Sequence, residues 1–214
     1  MKRVFHITIL LVAVVAVFAS CSKEPENTIV NLKVAITGEI NTYATYSAFA
    51  KKADEEGYRY IANMFRAAAA AEDIHAKNHN DVLKKLGEPV FNPTAETPTV
   101  NSTAENIQAT VDGETSEYTE TYPGFIAIAK KEKCEDAVRS FTLANLAEEN
   151  HESLFSEALR ILKEPGGSDK TVSSKWWVCT QCGGLFKAPF DKCLLCKADT
   201  DRQYFIPREF FAEP

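Results

Sequence analysis

Apolar residues recur along this chain at the helical period in four long stretches, separated by clusters of Gly, Pro and polar residues. The first runs over about 29–55 and places Leu32, Ile36, Ile40, Tyr43 and Ala44 on one inner face. Gly57 marks a turn, and a second helix follows to about Leu86, where Gly87 and Pro89 end it. Next comes "FNPTAETPTVN", rich in Pro and Thr, which reads as a long connection closed by Ser102 and Glu105 at capping-box spacing. The third helix extends to about Lys133 with a bend expected at Pro123 and Gly124, and the fourth covers about 135–163. "EPGGSDKTVSS" has the composition of a linker. The pattern predicts an all-α domain over 29–165, a four-helix bundle whose long crossover joins the second and third helices, then a linker at 166–175 and a small unit at 176–214.

Some polar residues fall where such helices should be apolar. In "AAAAAEDIHAKNH", five alanines run into Glu72 and His75, three residues apart and so on one helix face. For one such pair a solvated face is the ordinary reading. The spacing returns as Glu148 and His151, and the flanks "IANMFRAAAAAEDIHAKNHNDVLKKL" and "AVRSFTLANLAEENHESLFSEALRIL" share the placement of Phe, Ala, Glu, His and terminal Leu. That correspondence reads as a duplicated helix pair, so each half should supply one more carboxylate from its first helix. Glu39 lies 33 residues before Glu72, and Glu114 lies 34 before Glu148. One Glu from each of two helices and a Glu-x-x-His from each of the others is the ligand set of a carboxylate-bridged di-iron bundle, the ferritin-like arrangement. Oxygen and imidazole donors suit iron or manganese.

The chain has six cysteines. Cys179, Cys182, Cys193 and Cys196 form two Cys-x-x-Cys pairs ten residues apart, a spacing that converges four thiolates on one tetrahedral metal, iron or zinc. So small a unit needs that metal to fold. Cys134 reads as a small, partly buried apolar residue.

The N-terminus changes the address. Lys2 and Arg3 precede an apolar run from about Ile7 to Ala19 that is short for a membrane span. The run ends in "FASC", which resembles the lipobox of bacterial lipoproteins, with Phe18 where Leu is usual. On this reading residues 1–21 are the signal region, Cys21 carries lipid, residues 22–28 are a tether, and the protein is exported and membrane-anchored, in the periplasm or at the cell surface. An ordinary secretory signal or a single-span anchor is the alternative. The net charge of -6 excludes a basic nucleic-acid surface.

With these pieces in view, residues 29–162 resemble the rubrerythrin family through "GEINTYATY", "EEGYRYIANMF", "AEDIHAK", "GETSEYTETYP" and "AEENHE". The stretch "WWVCTQCGGLFKAPFDKCLLCKADTDRQYF" resembles the rubredoxin-like domain that follows the bundle in that family, with Leu194 where Pro is usual and Gly184 and Leu185 where an aromatic is common. The resemblance implies non-haem iron at both sites, with zinc the alternative in the four-cysteine site. It implies reduction of hydrogen peroxide to water and a homodimer or higher oligomer in which one chain's rubredoxin-like domain serves the other's di-iron site. It also implies that Glu117 and His75 exchange as ligands with oxidation state, and that Tyr46 and Tyr122 stand beside the centre. An exported protein would need an extracytoplasmic electron donor, which the sequence does not identify. The competing readings are a ferritin-like iron-oxidising or iron-handling protein and a zinc-loaded surface binding module.

Overall fold

The computed structural model describes residues 25–164, 175–189 and 191–199 and the strand at 205–208. The signal region with Cys21, the first part of the tether, residue 165 with 166–174 of the linker, and residues 190, 200–204 and 209–214 of the expected small unit lie outside the described residues.

Five α-helices carry the bundle: α1 (Glu26–Glu55), α2 (Arg59–Lys85), α3 (Thr103–Ser116), α4 (Tyr122–Lys131) and α5 (Glu135–Lys163). α3 and α4 are one long helix interrupted by a π-helical turn at Glu117–Thr121, so the bundle has four long elements. α1 begins at Glu26, which takes the last residues of the expected tether into the helix. The anchor there is Glu132, which accepts from the backbone N–H of Thr28 at 2.8 Å. Ser102 and Glu105 form the expected reciprocal cap on α3. The crossover before it carries no helix, but it is tied down: Asn80 accepts from the N–H of Phe91 at 2.8 Å and Asn41 from that of Glu96 at 2.9 Å.

Two details differ from the periodicity. Tyr43 is exposed, and the inner line of α1 runs through Leu32, Ile36, Glu39, Tyr46, Phe49 and Ala53. The buried carboxylate of Glu39 occupies the slot that a purely apolar reading gives to its neighbours. The irregularity in the third helix lies at 117–121, upstream of the expected bend at Pro123 and Gly124. Pro123 has no N–H to give to the carbonyl four residues back, and its ring crowds that carbonyl. The turn widens instead, and the Tyr122 N–H reaches back five residues to the Glu117 carbonyl. The widening has a consequence for side-chain direction. At about 100° per residue, Glu114 and Tyr122 would point roughly 80° apart on an unbroken α-helix, and one inserted residue brings them within about 20°.

The core has two parts on either side of the polar centre. One joins Tyr46, Phe49, Phe65 and Phe155 with the alanines of α2, and the other joins Leu32, Ile36, Leu83, Tyr122 and Phe141. The C-terminal unit is a small antiparallel sheet in the order β2-β1-β3, with β1 at Trp176–Cys179, β2 at Leu185–Phe186 and β3 at Phe205–Arg208. It shares the bundle's core, because Trp176, Val178 and Leu185 belong to the same apolar cluster as Phe65. Trp176 packs against Tyr60 with ring centroids 5.4 Å apart.

Phe65 is fully buried, between Phe155 at 4.8 Å and Phe49 at 5.4 Å. Phe65→Ala is expected to destabilise the metal-free chain by about 3–5 kcal/mol in denaturant unfolding, through lost transfer energy and a residual cavity. A loss below about 1 kcal/mol would contradict this packing.

Candidate metal centres

The alanines of α2 let α1 approach closely, and the side chains that then face the axis are acidic. Glu39 from α1, Glu72 from α2, Glu114 from α3 and Glu148 from α5 are all buried, as are His75 and His151. They fall into two overlapping sets in which the candidate ligand atoms lie within 4.8 Å of one another: Glu39, Glu72, His75 and Glu148, and Glu72, Glu114, Glu148 and His151. Glu72 and Glu148 belong to both sets, the place of bridging carboxylates. The two imidazole planes lie 23° apart, with centroids 6.1 Å from each other. Each turns Nδ1 inward: His75 Nδ1 lies 2.9 Å from Glu148 and 3.1 Å from Glu72, and His151 Nδ1 lies 2.9 Å from Glu148.

Burial of so many acids distorts their titration. Desolvation, then repulsion by Glu148, drives the carboxyl of Glu72 well above the usual range and that of Glu114 up to about 7. Desolvation also opposes charge on Glu148, yet attraction to His75 and hydrogen bonding to His151 hold it below the ordinary value. His151 is raised to about 9, because its bonds to Glu114 and Glu148 outweigh a burial effect of opposite sign.

The donor set fits two cations. Glu72 Oε1, Glu114 Oε2, both oxygens of Glu148 and His151 Nδ1 are buried without a hydrogen bond of good geometry. Buried polar atoms seldom remain unsatisfied. These converge on the two ligand clusters, so they fit a pair of oxygen- and nitrogen-ligated metal ions. Tyr46 donates to Glu114 Oε1 at 2.5 Å, and Tyr122 donates to Glu39 Oε1. Each tyrosine thus orients a carboxylate from behind. Glu117, on the π turn, is half-buried and outside both clusters. Its carboxyl is raised by desolvation and then by the charges of Glu39, Glu148 and Glu114. The structure therefore brings together Glu39, Glu72, His75, Glu114, Glu148 and His151, with Glu117 beside them.

The second centre is the knuckle. The sulfur atoms of Cys179, Cys182, Cys193 and Cys196 lie within 4.8 Å of one another. The bonds Gly183 N–H to Cys179 O, 2.8 Å, and Lys197 N–H to Cys193 O, 3.0 Å, close two similar turns. Gly183 and Lys197 both take positive φ, at 81° and 62°. Neighbouring thiols push Cys182 far up, so the four do not all ionise without a cation among them.

The sequence did not reveal where this knuckle sits. It rests on the bundle's histidines: Nε2 of His75 lies 2.9 Å from the Cys182 carbonyl and Nε2 of His151 3.2 Å from that of Gly183. Asn78 donates to the Gln181 carbonyl at 2.9 Å, and Asn150 accepts from the N–H of Leu185 at 2.7 Å. A Cβ on Gly183 would lie 2.3 Å from His75 Nε2, so only glycine permits this approach. The contact that the resemblance assigns to two chains of a dimer is made here within one chain. His79 and Ser140 were also missed. His79 lies one turn beyond His75, so its placement on the ligand face was readable from the i, i+4 spacing.

Comparison with known proteins places these observations. The rubrerythrin family model matches residues 30–159. Nigerythrin of Nitratidesulfovibrio vulgaris (strain Hildenborough) is 36% identical over 171 residues, 79% of this chain and 82% of that protein. Rubrerythrin of Porphyromonas gingivalis (strain W83) is 32% identical over 183 residues, 83% of this chain and 88% of that protein. The structure of fully reduced, all-ferrous nigerythrin superimposes with a TM-score of 0.74 at 36% identity, covering 85% of this chain and 86% of that one. A bacterioferritin from Desulfovibrio desulfuricans, at 19% identity and a TM-score of 0.63 over 71% of this chain and 95% of that one, shares the fold.

The proton inventory gives a prediction. Between about pH 6.5 and 9 the unfolded chain has its carboxylates ionised and its histidines neutral, while the metal-free fold still retains protons on Glu114, up to about 7, and His151, up to about 9. Both folded pKa values are raised, so their stabilisation is present at low pH and lost as pH rises through them. The Tm of the metal-free chain is expected to fall from pH 6.5 to 9 in calorimetry. A flat or rising Tm would contradict the buried, proton-sharing cluster.

Proposed function

The chain belongs to the rubrerythrin family, and on that footing we propose that it is a non-haem di-iron peroxidase reducing hydrogen peroxide to water in oxidative-stress defence, supplied with electrons by iron in the four-cysteine knuckle. The observation that carries this reading is the pair of contacts from the Cys182 and Gly183 carbonyls to Nε2 of His75 and His151. A storage or iron-oxidising site has no need of a redox centre hydrogen-bonded to its ligands.

Two ferrous ions held by the buried carboxylates and imidazoles would supply one electron each, the pair needed to cleave an O–O bond without releasing a hydroxyl radical. The side chains do the rest. Glu72 and Glu148 belong to both ligand clusters and would offset positive charge in each. Nδ1 of each histidine faces the acids, while its Nε2–H donates to the knuckle, which fixes the tautomer and ring plane. Glu117 stands close enough to Glu39, Glu114 and His75 to feel their charge, the position from which it would replace His75 as the family resemblance implies. Burial keeps the hydroxyls of Tyr46 and Tyr122 protonated, reinforced by Glu114 at Tyr46 and Glu39 at Tyr122, so both remain hydrogen-bond donors to the site.

The lipobox-like "FASC" supports a membrane-anchored, extracytoplasmic protein that draws electrons from a carrier outside the cytoplasm. A homodimer is part of the same proposal, with the knuckle contacts either retained within each chain or exchanged between two.

The test is rapid mixing of the iron-loaded, fully reduced protein with peroxide or with oxygen. Peroxide should oxidise it the faster, and the thiolate-iron absorption should appear as electrons leave the knuckle. Preferential reaction with oxygen, or a silent knuckle, would move the case to iron handling. Glu148→Ala should abolish turnover. Cys179→Ser should permit one turnover at the pre-reduced bundle and no more. Gly183→Ala should slow knuckle oxidation at least about tenfold by pushing the carbonyls off the imidazoles, with the first turnover preserved. In cells, Cys21→Ala should move the protein out of the membrane fraction, and retention there would refute lipid anchoring at that cysteine.

A further inference from the structure

His79 is fully buried and takes no part in either ligand cluster. Both of its ring nitrogens are nevertheless engaged. Nδ1 lies 2.8 Å from Ser140 Oγ on α5, and Nε2 lies 3.2 Å from the Tyr122 hydroxyl on α4. Tyr122 in turn donates to Glu39 Oε1, and the ring is clamped against Phe141 with centroids 5.1 Å apart.

Donor arithmetic gives this row a direction. Tyr122 has one hydroxyl proton and spends it on Glu39, so its oxygen accepts from His79, which places the imidazole proton on Nε2. Nδ1 is then the acceptor and Ser140 the donor. Every bond points the same way, from Ser140 through His79 and Tyr122 to Glu39.

The outer end approaches the surface, with Ser140 itself 5% exposed. Ser140 lines an open cleft of about 550 Å³ between α2 and α5, with Asn78, Asp81, Val82, Arg139 and Leu143. The inner site is closed on its histidine side, where the knuckle backbone sits on His75 and His151. Reducing one peroxide to two waters consumes two protons as well as two electrons, so a buried site performing that reaction needs an entry for protons distinct from its entry for electrons.

We propose that Ser140, His79 and Tyr122 form a proton path from the α2–α5 cleft to the Glu39 side of the di-iron site, a use that rests on the peroxidase reading. In one transfer, a hydronium ion in the cleft gives a proton to Ser140 Oγ and departs as water while the Ser140 hydroxyl proton passes to His79 Nδ1. The proton on Nε2 passes to the Tyr122 oxygen, and the Tyr122 proton passes to Glu39. One proton enters, one is delivered, and no electron moves. Ser140, His79 and Tyr122 keep their charge, Glu39 holds the delivered proton until it passes it on, and His79, left as the Nδ1–H tautomer, returns to Nε2–H before a second proton passes. His79 acts through Tyr122 and is a positioning and relay residue.

The first arm of the test needs no metal. In the metal-free, 15N-labelled chain, His79 should show the neutral Nε2–H tautomer by NMR. Its Nε2–H should exchange with water at least about tenfold faster than in Ser140→Ala, and Ser140→Thr should restore the rate. The Nδ1–H tautomer, which reverses the row, or exchange unchanged in Ser140→Ala, would overturn the path. In the second arm, the iron-loaded His79→Phe variant, with thermal unfolding checked against the parent, should lose peroxide kcat at least about tenfold at unchanged KM and show a larger solvent isotope effect. A folded His79→Phe with unaltered kcat and isotope effect would assign proton entry to half-buried Glu117 instead and overturn the proposal. Should the parent fail to reduce peroxide at all, the peroxidase reading falls while the exchange measurements still decide whether the path exists.

Discussion

Four carboxylates buried in the middle of a helical bundle are the constraint around which this molecule is built. Charges of one sign at this separation and in this dielectric repel strongly, and desolvation adds to the cost of each. Without cations the fold manages by leaving protons on Glu72 and Glu114 and by drawing Glu148 to the two imidazoles. Two metal ions would remove the repulsion and satisfy the orphaned oxygens together, which couples metal binding to stability. The apolar structure serves the same end. The alanine run brings α1 and α2 close, aromatic rings seal one end of the cluster and Phe141 and Leu83 the other, so that water cannot hydrate the acids singly.

The knuckle is part of this solution. It covers the two histidines with backbone carbonyls, which accept the Nε2 protons and leave Nδ1 for the acids. Gly183 sets the distance, since any side chain there would meet His75. Trp176 and Leu185, sunk in the bundle core, supply the apolar contact that keeps so small a sheet in place. One face of the site thus meets the four-cysteine knuckle. On another flank Tyr122, His79 and Ser140 run out to the α2–α5 cleft.

Much of this was legible in the sequence because the signals were local or repeated. The two Glu-x-x-His pairs lie on regular helices, where spacing fixes the face, and the duplication carried the argument across to Glu39 and Glu114. Paired Cys-x-x-Cys turns form almost regardless of context. What escaped depended on contacts between distant parts. The docking of Cys182 and Gly183 on His75 and His151 follows from no periodicity. A bend is expected at Pro123 and Gly124, and the irregularity is instead a π turn at Glu117–Thr121, because a proline's disturbance falls on the turn before it. Tyr43, which the apolar period puts on the inner face, is exposed, whereas Tyr46, seven residues from Glu39, faces inward as the resemblance implies. His79 was in plain view one turn from His75, but its meaning depends on Ser140 and Tyr122, which come from other helices.

The claim on which everything else rests is that the bundle holds two metal ions beside a separate thiolate-bound one. Mössbauer spectroscopy of the chain loaded anaerobically with 57Fe and reduced would test it most directly. Two ferrous ions with oxygen and nitrogen ligands are expected for each ferrous ion with four sulfur ligands. A spectrum holding only the thiolate-bound iron, or a single oxygen-ligated iron per chain, would contradict it.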